Sequence, residues 1–89
     1  MEKQKIIEFL NRLEGEEGCN FREKEKGNPK SITWDCDSKT HKFSRKILTK
    51  MNISKIEQDI FLEECEMLGG YCDCEILLNA EEGLLGEEV

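Results

Sequence analysis

The chain has no run of apolar residues approaching the 20 or so that a bilayer-crossing helix needs, so no membrane span is expected. Its opening residues, MEKQKIIEFLNRLEGEE, lack the long apolar stretch of a secretion signal, which points to a cytoplasmic domain. Proline occurs once (Pro29), and so do histidine (His41), tryptophan (Trp34) and tyrosine (Tyr71). No glycine loop suited to phosphate, no dinucleotide fingerprint and no spaced Ser/His/Asp set is present. Catalysis is therefore not the expected role. Neither internal repeats nor low-complexity blocks interrupt the 89 residues, which suffice for one domain over 1–89 and not for two.

Charge of one sign is missing from two stretches. All 13 basic residues lie at or before Lys55, and 11 of the 20 acidic ones follow it. The formal net charge of −7 argues against generic binding to phosphate backbones. Between Ser38 and Ile56 there is no acidic residue, and Lys42, Arg45, Lys46 and Lys50 stand close together. The plain interpretation is a solvated helix face. The sharper ones are a docking patch for an acidic protein partner, or a nucleic-acid-associated helical hairpin over Lys42–Lys50, which the overall charge disfavours.

Where hydrophobic residues do occur, their spacing suggests six elements. Ile6, Leu10 and Leu13, broadened by Ile7 and Phe9, predict a helix over Lys3–Leu13 that Gly15 stops in a left-handed conformation. Cys19 and Phe21 alternate with polar neighbours, as do Ile32, Trp34 and Cys36, and Lys26-Gly27-Asn28-Pro29 between them predicts a hairpin with Phe21 and Trp34 on one face. Ser38 or Thr40 would cap a second helix with Phe43, Ile47, Leu48 and Met51 inward, stopped by a left-handed Asn52. Ser54-Lys55-Ile56-Glu57 is a capping box. It opens a third helix running to about Leu68, with Ile56, Ile60, Phe61, Cys65 and Leu68 inward. After Gly69-Gly70, alternation from Tyr71 to Leu78 predicts a strand with Cys72, Cys74, Ile76 and Leu78 on its inner face. Residues 80–89 are expected to form a frayed acidic tail. The expected fold is α+β: a small antiparallel sheet of about three strands packed against helices, in the order α-β-β-α-α-β.

Five cysteines, Cys19, Cys36, Cys65, Cys72 and Cys74, are an odd number in a chain with no visible export signal, so a disulfide framework is not expected. They remain as buried small hydrophobes, metal ligands or reactive thiols. Strand alternation would put Cys36, Cys72 and Cys74 on inner faces, and His41 opens the helix after Cys36. Three thiolates and one imidazole form an accepted tetrahedral zinc set, and a domain this small gains from such a staple. Cysteine is also among the residues most often buried with no ligand at all. The alternative chemistry is a redox pair, Cys72-x-Cys74. Against it, Asp73 and Glu75 flank the thiols with negative charge, which disfavours thiolate.

The string GGYCDCEILLNA, through Gly69, Gly70, Tyr71, Cys72, Asp73, Cys74, Glu75 and Asn79, resembles the closing signature of a family of short bacterial proteins known only as a domain of unknown function. Cys36-Asp37 followed by Thr40, Ser44 and Arg45 resembles the family's upstream Cys-Asp and helix. The resemblance spans about Trp34 to Asn79. It implies a common fold, and it implies no activity. The expected function is thus a small binding or accessory domain with an unidentified protein partner and a candidate structural zinc site.

Overall fold

The computed structural model describes residues 1–25, 27–28, 30–34 and 40–86. Helix α1 (Lys3–Glu14) buries Phe9, Leu10 and Leu13 and leaves Ile7 outside. It ends at Gly15 as expected, but that glycine is extended (φ −88°, ψ −163°) rather than left-handed. The next turn folds back tightly. The Cys19 N–H donates to the Leu13 carbonyl at 2.7 Å, and a Cβ on Gly18 would lie 2.2 Å from that same oxygen, so only glycine fits there. Cys19 is buried at the end of this turn, before any strand begins.

The hairpin is present and much shorter than its sequence suggests. Strands β1 (Arg22–Glu23) and β2 (Ile32–Thr33) pair antiparallel, with Arg22 opposite Thr33 and Glu23 opposite Ile32. Phe21 and Trp34 flank the strands and stack with ring centroids 4.9 Å apart, as their alternation predicted. Lys26 and Pro29 of the expected turn, and Asp35, Cys36 and Ser38, lie outside the described residues.

Helix α2 (Lys42–Lys50) buries Ser44, Ile47 and Leu48, and Asn52 ends it with φ +64°. Helix α3 (Lys55–Met67) starts at Ser54, whose hydroxyl accepts from the Glu57 N–H at 3.2 Å, the expected capping contact. The phase of α3 differs from expectation. Gln58, Phe61, Leu62 and Cys65 face inward, while Ile56 and Ile60 are 73% and 62% exposed. Phe61 meets Phe9 of α1 edge-on at 5.2 Å, a contact that selects one face of α3 for the core. Gln58 takes an inward place because its side-chain N–H groups are used, donating to the Ile53 carbonyl at 2.9 Å and the Thr49 hydroxyl at 3.2 Å.

The predicted third strand over Tyr71–Leu78 is helical. A short turn α4 (Asp73–Glu75) leads into a π-helical segment (Ile76–Ala80) and then α5 (Glu81–Leu84). The Ile76 N–H donates to the Cys72 carbonyl at 3.1 Å, a helical contact. Cys72, Asp73 and Cys74 are buried in succession, which the expected strand with one solvent-facing side would not show, and Leu78 is exposed. Ile76, Ala80 and Leu84 are all buried at intervals of four, so the stretch expected to fray carries part of the core. The architecture among the described residues is therefore α+β with one two-stranded sheet, in which α1, α2, α3 and the π-helical segment enclose the core.

Candidate thiol site at the start of the second helix

Helix α2 begins without a capping side chain of its own. Its N-cap residue is His41, whose side chain makes no capping hydrogen bond. The missing acceptor comes from 30 residues away. One Asp73 carboxylate oxygen accepts from the Phe43 N–H at 2.9 Å. The other accepts from the Ser44 N–H at 3.0 Å and the Ser44 hydroxyl at 2.5 Å. Phe43 and Ser44 hold the second and third helical positions, whose N–H groups an N-cap carboxylate normally serves. A negative charge at this end also meets the positive end of the helix dipole. Asp73 is 1% exposed and Ser44 fully buried, so these are charge-assisted bonds away from water.

Two further contacts align the strings 40–44 and 70–73. The Asp73 N–H donates to the Thr40 carbonyl at 2.9 Å. His41 Nε2 lies 2.9 Å from the Gly70 carbonyl oxygen, so Nε2 carries the proton and donates. Gly70 is itself held by its N–H to the Cys65 carbonyl at 2.7 Å. A Cβ on Gly70 would stand 2.9 Å from Ile76 Cγ1 and 3.1 Å from the Cys65 carbonyl oxygen. The glycine is needed for this close approach. At the neighbouring Gly69, with φ +98°, the carbonyl accepts from the Asn79 side chain at 3.1 Å. The GGYCDC segment is thus fixed to α2 on one side, and to α3 and the π-helical segment on the other.

Cys72 and Cys74 sit within this fixed segment. Both are buried, 6% and 7% exposed, and their Sγ atoms are in contact at 3.3 Å. They are not joined in a disulfide. His41 is half-buried nearby in the bonded framework, and any metal bond it makes is through Nδ1. Cys36, the third predicted thiol, lies outside the described residues. Among the described residues no group of three or more His, Cys, Asp or Glu side chains could hold a metal ion. The described part of the predicted site therefore comprises one thiol pair and a histidine bonded to the same loop. Asp73 was expected on the solvent side of a strand. It is instead the buried centre of the segment, and the signal for it was the weak N-cap at His41.

The remaining thiols have other surroundings. Cys65 is fully buried on α3, and burial, aided by the charges of Glu64 and Glu66, pushes it up to about 12 from an ordinary value of 9.0. It is an inert part of the core.

A model of the family described as Protein of unknown function (DUF2695) matches residues 30–79, more than half of the chain. The chain belongs to DUF2695. No curated protein and no solved structure shows a significant match to it. The DUF2695 segment runs from just before β2 to the π-helical segment, and includes His41, Ser44, Gly70, Cys72, Asp73 and Cys74. Helix α1 and β1 lie before it. No helix among the described residues of this DUF2695 member is long and apolar enough to cross a membrane.

Proposed function

We propose that this DUF2695 chain is a small binding domain whose Cys72 and Cys74 hold a structural zinc ion, with Cys36 and the Nδ1 of His41 as the further ligands. The observation that carries the proposal is the 3.3 Å approach of two buried thiols on a segment fixed by the Asp73 bonds. Zinc–thiolate bonds of about 2.3 Å in a tetrahedron put two sulfurs about 3.8 Å apart. A disulfide needs about 2.05 Å. The pair thus stands closer to the metal-binding separation than to the covalent one. A divalent cation bound by the pair supplies the charge that stabilises coordinating thiolates. Three thiolates and an imidazole leave no open position for a substrate, so the role is structural.

Native mass spectrometry of freshly purified protein tests this. One zinc per chain is expected, removed by chelator and absent from Cys72→Ser and Cys74→Ser. A metal-free mass after purification with zinc present would overturn the proposal. So would a mass lighter by two hydrogens with a Cys72–Cys74 cross-linked peptide, which would assign the pair to redox chemistry.

A further inference from the structure

The outer face of α3 is apolar where the sequence pattern placed it in the core. Ile56 is 73%, Ile60 62% and Met67 81% exposed. At 3.6 residues per turn these three side chains fall in one line along the helix, spanning about 16 Å. Single exposed apolar residues are ordinary, but a line of three on one helix is a surface that water solvates poorly. Its borders are mainly acidic, with Lys55 at the first turn on one side. Glu57 and Glu64 run along one side and Glu66 along the other, all exposed, and Glu63 sits between Ile60 and Met67. Asp59, on the same side as Glu66, is engaged by Arg45 at 2.7 Å. No basic residue occurs from Ile56 onward.

We propose that this face of α3 docks a basic amphipathic helix of a protein partner. The straight apolar line fits the ridge of a second helix, and the carboxylates of Glu57, Glu63, Glu64 and Glu66, in excess over Lys55, fit lysine or arginine flanking that ridge. A phosphate-bearing surface, whether membrane or nucleic acid, would meet only repulsion from these carboxylates. A second copy of the chain is a poor occupant through α2, because the basic helix keeps Ile47 and Leu48 buried. The proposal is independent of any metal at Cys72 and Cys74.

The test is fluorescence anisotropy of the full chain with a labelled leucine–lysine amphipathic helical peptide of about 18 residues, five helical turns. Controls are a scrambled peptide of identical composition and a leucine–glutamate counterpart. The leucine–lysine helix is expected to bind at least tenfold more tightly than the scrambled peptide, and the leucine–glutamate peptide not to bind. The double variant Ile56→Ser/Ile60→Ser is expected to weaken binding at least tenfold while its thermal melting stays unchanged, since both side chains are exposed. Equal binding of the scrambled peptide, absence of binding, or an unaffected double variant would overturn the proposal. Sedimentation velocity showing a dimer that the double variant abolishes would also overturn it, by giving the face to a second copy.

Discussion

Asp73 and Ser44, 29 residues apart, share a buried hydroxyl-to-carboxylate bond of 2.5 Å. The same carboxylate takes the Ser44 and Phe43 N–H groups, so one side chain completes a helix to which it does not belong. Hydrogen bonds to a buried charge contribute about 1.5–3 kcal/mol each, and removing the acceptor strands its donors. Asp73→Ala is expected to cost about 3 kcal/mol and to lower Tm by roughly 15 °C. Ser44→Ala is expected to cost about 1 kcal/mol, because two backbone donors still serve the carboxylate. The double variant should lose less than the sum of the two, and urea unfolding of all four proteins checks this coupling.

Gly70 and Gly15 should respond differently to one added methyl group. At Gly70 the new carbon would press on Ile76 and on the Cys65 carbonyl at about 3 Å, in the loop that holds the thiols. Gly70→Ala is expected to destabilise by about 2–3 kcal/mol, the range for overpacking. At Gly15 the nearest atoms are 3.6 Å and 3.7 Å away and the backbone is extended, so Gly15→Ala should be neutral within about 0.5 kcal/mol. Thermal melts of the two variants side by side decide the point.

Cys65 sets an alkaline limit on stability. Its thiol stays protonated in the folded chain up to about 12, whereas in the unfolded chain it ionises near 9.0. Between these values the unfolded state has released a proton that the folded state keeps, so rising pH favours unfolding. The contribution is fully present below pH 9 and is lost as pH rises towards 12. Urea midpoints measured from pH 8 to 11 should fall, and Cys65→Val should flatten part of that slope. Cys65 should also resist alkylation at pH 8.5 in native protein and react once urea is added.

A metal held by Cys72 and Cys74 binds the folded chain only, so its removal must appear as lost stability. Chelator is expected to lower Tm of the unaltered protein and to leave Tm of Cys72→Ser/Cys74→Ser unchanged. An equal response of both proteins would separate the thiols from any metal effect.

The elements most legible in the sequence were those whose signals are local. The Ser54 capping contact, the left-handed Asn52 and the span of α1 depend on neighbours within one turn, and each is in place. The Phe21–Trp34 stack follows from alternation around a turn. Two failures have a common cause in ambiguous period. Phe61 and Cys65 are inward as expected, but the stripe extends from them to Gln58 and Leu62 and not to Ile56 and Ile60, and the edge contact of Phe61 with Phe9 of another helix decides between the two phases. Cys72, Cys74 and Ile76 alternate like a strand, yet Ile76, Ala80 and Leu84 recur like a helix, and the tertiary burial of Asp73 favours the second pattern. Of the candidate site, Cys72, Cys74 and His41 do lie on one bonded framework. Its central residue was hidden because the one mark of a cap supplied from another segment is a weak N-cap at His41, which does not say where the acceptor comes from.

That borrowed cap has a consequence for synthesis. During synthesis α2 leaves the ribosome before Asp73 does, and until Asp73 emerges the donors of Phe43 and Ser44 have only water to serve them. Nascent chains whose α2 has emerged while the CDC segment is still inside the ribosome should stay open to protease at the start of α2, and protection should arrive abruptly once residues 73–84 emerge and Ile76, Ala80 and Leu84 close over the helices already made.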